Sequence, residues 1–125
     1  MIYLATPFTH KDSNIMNERL SLVTKVNYIL IEKGITCISP VFYGCALSEK
    51  VKNRDLSWTT WERFCKDLID KCKMMIVLNV FEWEKSTGVT EEIKYCKDNN
   101  IPVLLLSEEE IYNFDGLNLT NFINL

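Results

Sequence analysis

The stretch Met74-Met75-Ile76-Val77-Leu78-Asn79-Val80 is the most apolar run in the chain, and its reading decides the fold. A run this apolar, only a few residues long, reads as a strand buried on both faces. Before it, Trp61, Phe64, Cys65, Leu68 and Cys72 recur at helical spacing, and Ser57 can cap a helix running to about residue 73. After it, Ser86 opens a second helix to about residue 99, and Asn100 and Pro102 bracket a turn into Val103-Leu104-Leu105-Leu106. Further out, Ile2-Tyr3-Leu4-Ala5 is a first strand that stops at Pro7. Residues 14–33 carry Met16, Leu20, Val23, Val26, Ile29 and Leu30 at helical intervals, with Asp12 or Ser13 as cap and Gly34 as terminator. Residues 35–39 form a second strand halted by Pro40, and residues 41–55 read as an irregular polar loop entered by Phe42 and Tyr43. The tail holds two short, weakly patterned helical pieces.

Strands separated by helices imply a parallel sheet covered on both faces. Right-handed crossovers then favour an α/β, flavodoxin-like doubly wound parallel sheet of four to five strands, in one domain spanning 1–125. In such sheets ligands bind beyond the carboxyl ends of the strands, where strand order reverses. That directs attention to residues 6–10, 39–43 and 79–88.

The 125 residues carry 17 carboxylates against 14 Lys and Arg, a formal net charge of -3. No basic stripe is present, which argues against a nucleic-acid polymer as partner. No apolar run approaches the length of about 18 residues needed to cross a membrane, and the start lacks the pattern of a secretory signal. Five cysteines without C-x-x-C spacing and a single histidine, His10, give no metal constellation. They read as reduced, buried thiols of a cytoplasmic protein. Neither G-x-G-x-x-G nor G-x-x-x-x-G-K-[ST] occurs, and no cofactor is expected.

The sharpest chemical signal is Ser86-Thr87-Gly88-Val89-Thr90-Glu91-Glu92. At about 100° per residue, Ile93 and Cys96 lie within roughly 40° of Val89, Glu91 about 200° away and Glu92 at about 300°. Glu91 therefore faces solvent, while Glu92 borders the buried stripe. There the helix N-terminus would keep it ionised, as a nucleophile or a cation stabiliser, or it simply supports the helix end. On the preceding helix Asp70 lies opposite the apolar stripe and Asp67 nearer its edge, about 60° beyond Phe64. Asp67 is either half of a carboxylate pair for glycosidic chemistry or a surface partner of Lys66 or Lys71. Tyr3 is core, or lends its hydroxyl to a carboxylate at the strand ends. His10 is a loop histidine, and Gly88 alone is a weak phosphate cradle. Trp58, Trp61 and Trp83 are core candidates, while Phe42, Tyr43 and Trp83 lie where a base could stack.

Taken in order, Tyr3–Pro7, Ser39-Pro40, Phe64–Leu68, Trp83–Val89 with Glu92, and Ile101-Pro102-Val103 resemble the nucleoside 2-deoxyribosyltransferase superfamily. Within it they are nearest to the branch of 2′-deoxynucleoside 5′-phosphate N-hydrolases and to related proteins of phages and bacteria. The resemblance runs from Met1 to about Leu106. It implies Glu92 as nucleophile at the anomeric carbon, Asp67 assisting departure of the base, and Tyr3 positioning the nucleophile. Transferases acting on free nucleosides carry Asp six residues before the nucleophile; Ser86 stands there in this chain, as in the nucleotide hydrolases. By that resemblance Ser86 and the amides around Gly88 would receive a 5′-phosphate. The hydrolases' first-loop Arg is absent; Thr6, Thr9 and His10 occupy that stretch, leaving Arg19 and Lys85 as other cations that could serve.

The resulting expectation is a cofactor-free N-glycosidase acting on a small-molecule (deoxy)nucleoside 5′-monophosphate, in a homodimer or larger homo-oligomer to which residues 108–125 could contribute contacts. The alternatives are base exchange between deoxynucleosides, a non-catalytic nucleotide sensor, and a flavodoxin-like module contacting another protein.

Overall fold

The computed structural model describes residues 1–52 and 54–114. Its elements run β1 (Ile2–Ala5), α1 (Ser13–Glu32), β2 (Cys37–Ile38), α2 (Pro40–Lys50), α3 (Trp58–Asp70), β3 (Met74–Leu78), a 3₁₀ turn (Trp83–Lys85), α4 (Thr87–Asp98), β4 (Val103–Leu106) and α5 (Glu108–Tyr112). The four strands form one parallel sheet in the order β2-β1-β3-β4, so the fold is the expected doubly wound α/β sheet. Strand order reverses between β1 and β3, where Tyr3 pairs with Met75 and Ala5 with Val77. The β1–α1 and β3–α4 connections therefore diverge at one point on the sheet edge and open a crevice between them.

The pleat divides each central strand between two cores. Ile2, Leu4, Met74, Ile76 and Leu78 pack beneath α1 and α5 with Val23, Val26, Leu30 and Ile111. Tyr3, Ala5, Met75 and Val77 face the other way, against Cys65 and Ile69 of α3 and Val89, Ile93 and Cys96 of α4. Tyr3 thus belongs to the α3–α4 face because its strand neighbours Ile2 and Leu4 are committed to the α1 face.

Helix ends follow the sequence signals. Asp12 accepts from the Asn14 amide to start α1, and Ser57, Ser86 and Ser107 cap α3, α4 and α5. Gly34 leaves α1 at φ 80, a conformation that favours glycine.

The segment read as a loop over 41–55 is instead largely helical, as α2. Ser39 accepts from the Phe42 amide and Pro40 takes the first turn, a start signal that also reads as a strand stop. Only Pro40 of this helix is buried, so it carries no apolar stripe for periodicity to detect. Phe42 and Tyr43 consequently lie on a helix rather than in a loop. Of the two helical pieces expected in the tail, α5 is present and the second lies outside the described residues.

Candidate active site

The hydroxyl of Tyr3, on the central strand β1, donates a hydrogen bond to Oε2 of Glu92, near the start of α4. Tyr3 is 1% exposed, so this phenol has no water to turn to, and the carboxylate is its buried partner. Burial pushes the Tyr3 phenol well above the usual tyrosine range, and the Glu92 charge adds to the rise. Tyr3 is therefore a fixed proton donor.

Glu92 is itself mostly enclosed, and burial raises its carboxyl from 4.5 to about 7, while the Tyr3 hydrogen bond opposes the rise. The expectation that the helix N-terminus keeps it ionised is corrected by magnitude. A helix terminus is worth about 0.3–1 kcal/mol at an exposed site and up to about 2 kcal/mol at a partly buried one, whereas the rise to about 7 corresponds to about 3 kcal/mol. Desolvation wins. Near neutral pH the free protein holds both the acid and the anion. Glu91, one residue earlier, is exposed as expected.

On α3, Cys65 is the residue that meets this pair: it is 7% exposed and lies beside both Tyr3 and Glu92. Burial lifts its thiol to about 11, so it stays neutral and is a poor nucleophile. A narrow cleft of about 50 Å³ opens above Glu92, walled by Trp58, Trp61 and Gly88 and edged by Glu62 and Lys66. Trp61 stacks on Phe64 with ring centroids 5.1 Å apart, which fixes that wall. A Cβ on Gly88 would lie 3.4 Å from the Trp58 ring, in van der Waals contact with that wall of the cleft.

Asp67 is in neither this cleft nor the next: it lies on the exposed side of α3, toward Tyr95. The α3 carboxylate at the cleft is Glu62, whose Oε1 is 2.8 Å from the Lys66 ammonium. A helical wheel could have found it, since Glu62 precedes Cys65 by three residues and shares its face. Phe42 and Tyr43 are exposed and line neither cleft, Tyr43 stacking instead on Phe64 at 5.9 Å. Trp58 and Trp61 supply the aromatic surfaces in their place. Thr6 is buried, its hydroxyl turned to the Pro7 carbonyl at 3.3 Å.

A second cleft, of about 140 Å³, lies on the other side of the α4 N-terminus and gathers Thr9, His10, Arg19, Glu82, Lys85 and Ser86. Ser86 caps α4 through Val89 N at 3.2 Å. Arg19 was missed as a buried position although it extends the Val23, Val26, Leu30 stripe one turn toward the helix start. Among the described residues no group of three or more His, Cys, Asp or Glu is placed to hold a metal, and no helix is long and apolar enough to cross a membrane.

The family model described as "Domain of unknown function (DUF1937)" matches residues 1–108. The chain belongs to this family. No curated protein matches this DUF1937 member. A solved structure of a 2-deoxyribosyltransferase from the psychrotolerant bacterium Bacillus psychrosaccharolyticus is similar to it at TM-score 0.69. That likeness covers 94% of each chain at 21% identity and establishes a shared fold. Both clefts of the DUF1937 chain lie at the switch point of that fold, on either side of the first turns of α4.

Proposed function

We propose that the protein is an N-glycosidase that cleaves the base from a (deoxy)nucleoside 5′-monophosphate. The observation that carries this reading is the buried carboxylate of Glu92, held by the Tyr3 hydroxyl beneath an aromatic cleft. In its ionised form Glu92 attacks the anomeric carbon, the C–N bond breaks toward the base, and a glycosyl ester forms on Glu92. Water then cleaves the ester: its hydroxyl joins the anomeric carbon, its proton balances the one that the departed base takes up, and the carboxylate is returned as the sugar phosphate leaves. Tyr3 positions the attacking carboxylate and stays protonated throughout. Trp58 and Trp61 offer faces for the base, and Glu62 and Lys66 offer hydrogen bonds to its edge as it departs. This assigns to Glu62 and Lys66 the leaving-group side for which Asp67 was the sequence candidate. Ser86, Gly88, Thr9 and His10 border the phosphate end.

A second reading, base exchange, is supported by the fold shared with a protein whose description reads 2-deoxyribosyltransferase. Five free cysteines suit a cytoplasmic setting, and a homo-oligomer whose neighbouring subunit closes the shallow clefts fits the same reading. A panel of nucleoside 5′-monophosphates and nucleosides, each with and without a second base, tests it. Hydrolysis releases free base and sugar phosphate without an acceptor; base exchange needs one; a binder that lacks catalysis releases nothing.

A further inference from the structure

Pairing of β1 with β3 ends at Ala5 and Val77, and both segments then leave the sheet to form the walls of the crevice. Among the described residues no backbone hydrogen bond joins residues 6–11 to residues 79–86. The sheet ladder therefore does not set the distance between these two connections.

A side chain from a third element spans them. Arg19, in the second turn of α1, is 5% exposed and in phase with Val23, Val26 and Leu30. Its Nη1 donates to the carbonyls of Thr9 at 3.1 Å and Phe8 at 3.4 Å, and its Nη2 donates to that of Phe81 at 3.1 Å. One nitrogen thus holds the β1–α1 connection and the other holds the β3–α4 connection. None of the three carbonyls accepts a backbone N–H among the described residues, so the guanidinium supplies the partners that these groups require. No carboxylate among the described residues pairs with it. The cation that could have served a ligand is committed instead to the protein's own backbone. A second link between the same segments, His10 Nε2 to Glu82 Oε1 at 3.6 Å, is longer and partly open to solvent. Links of that kind contribute little.

We propose that Arg19 is a positioning residue that clasps the two walls of the crevice together, so that the segments bearing Thr9 and His10 on one side and Ser86 and Gly88 on the other meet the substrate in register. A guanidinium suits this task because its planar fork carries two nitrogens at a fixed separation, whereas an ammonium carries one. Without the clasp, binding of the substrate has to order the walls. That cost falls equally on the ground state and the transition state, because Tyr3 is packed in the α3–α4 core and Glu92 is bonded to it, apart from these connections. Affinity then falls while the chemical step is kept. The identity of the substrate rests on the nucleotide reading above; the clasp itself does not.

The test combines amide hydrogen exchange and steady-state kinetics on the full chain, for the wild type, Arg19→Lys and Arg19→Met. In the wild type, the amides of residues 6–12 and 79–86 should open together as one unit. In both variants these segments should exchange about tenfold faster relative to the amides of β1 and β3, KM for a nucleoside 5′-monophosphate should rise about tenfold, and kcat should stay within about twofold. A lower kcat at unchanged KM is the mark of lost folded protein and overturns the proposal. A wild-type KM in Arg19→Lys also overturns it, since charge alone would then suffice. If neither variant folds, exchange in the wild type decides, and two segments that open independently contradict the clasp. Joint opening in a wild-type protein that cleaves no nucleotide overturns the glycosidase reading and leaves the clasp standing.

Discussion

Tyr3 and Glu92, 89 residues apart in sequence, are joined by a hydrogen bond from the phenol to the carboxylate. The pairing follows from the sheet pleat, which turns Tyr3 toward α4, and from the helical phase of α4, which brings Glu92 to the shoulder of its buried stripe. It gives the protein a partly desolvated acid whose charge state changes near neutral pH.

Stability should therefore carry the signature of Glu92. Its folded-state value of about 7 lies above the ordinary 4.5, so the folded state binds the proton more tightly than the unfolded chain. The associated stability is fully present below 4.5 and is lost as pH rises through about 7. Glu92→Gln removes this dependence. Melting temperatures of the two proteins should draw apart by about 10 °C between acidic and alkaline buffers, the wild type losing ground as pH rises. A constant difference across the range means that Glu92 titrates as a surface acid.

Tyr3→Phe deletes the hydrogen bond and keeps the ring. A hydrogen bond to a charged group is worth about 1.5–3 kcal/mol, so kcat/KM for base release should fall by about tenfold to a hundredfold. The same bond lowers the Glu92 carboxyl, so its loss raises that value, and the acidic limb of the pH–rate profile should move to higher pH. Lower activity with an unmoved limb would assign Tyr3 a packing role only.

Glu62 and Asp67 make opposite forecasts. Glu62→Gln, at the cleft, should lower base release by about tenfold or more. Asp67→Asn, on the exposed side of α3, should change it by less than about twofold. Steady-state kinetics on both variants decides between them, and the reverse order would restore Asp67 as the working carboxylate.

Ile76 is completely buried at the centre of the sheet, between α1 and α5 on the first core face. Ile76→Ala should cost about 2–5 kcal/mol, read from the denaturant midpoint at unchanged slope. A loss below about 1 kcal/mol would mean that this face is loosely packed.

The sheet was legible because its strands are short apolar runs cut by Pro and Gly, and because four helices declare themselves by caps or apolar stripes. The helix α2 was not, since it buries little beyond Pro40 and its start signal, Ser39-Pro40, coincides with a strand end. Position on a helical wheel placed Glu92 correctly but not its protonation, because depth of burial depends on the tertiary neighbours Tyr3 and Cys65. On α3 the wheel points to the edge beyond Phe64, where Asp67 lies exposed, whereas the cleft faces Trp58, Trp61, Glu62 and Cys65, a difference set by how α3 docks against α4. Arg19 shows a related limit, as a charged residue in phase with Val23 and Val26 is readily taken for a solvated one.

The most direct measurement is mass spectrometry of protein quenched during turnover of a deoxynucleoside monophosphate, followed by peptide mapping. The account expects a deoxyribose phosphate adduct on the peptide containing Glu92, absent from Glu92→Gln. An adduct on another residue, or base release by Glu92→Gln at the wild-type rate, would contradict it.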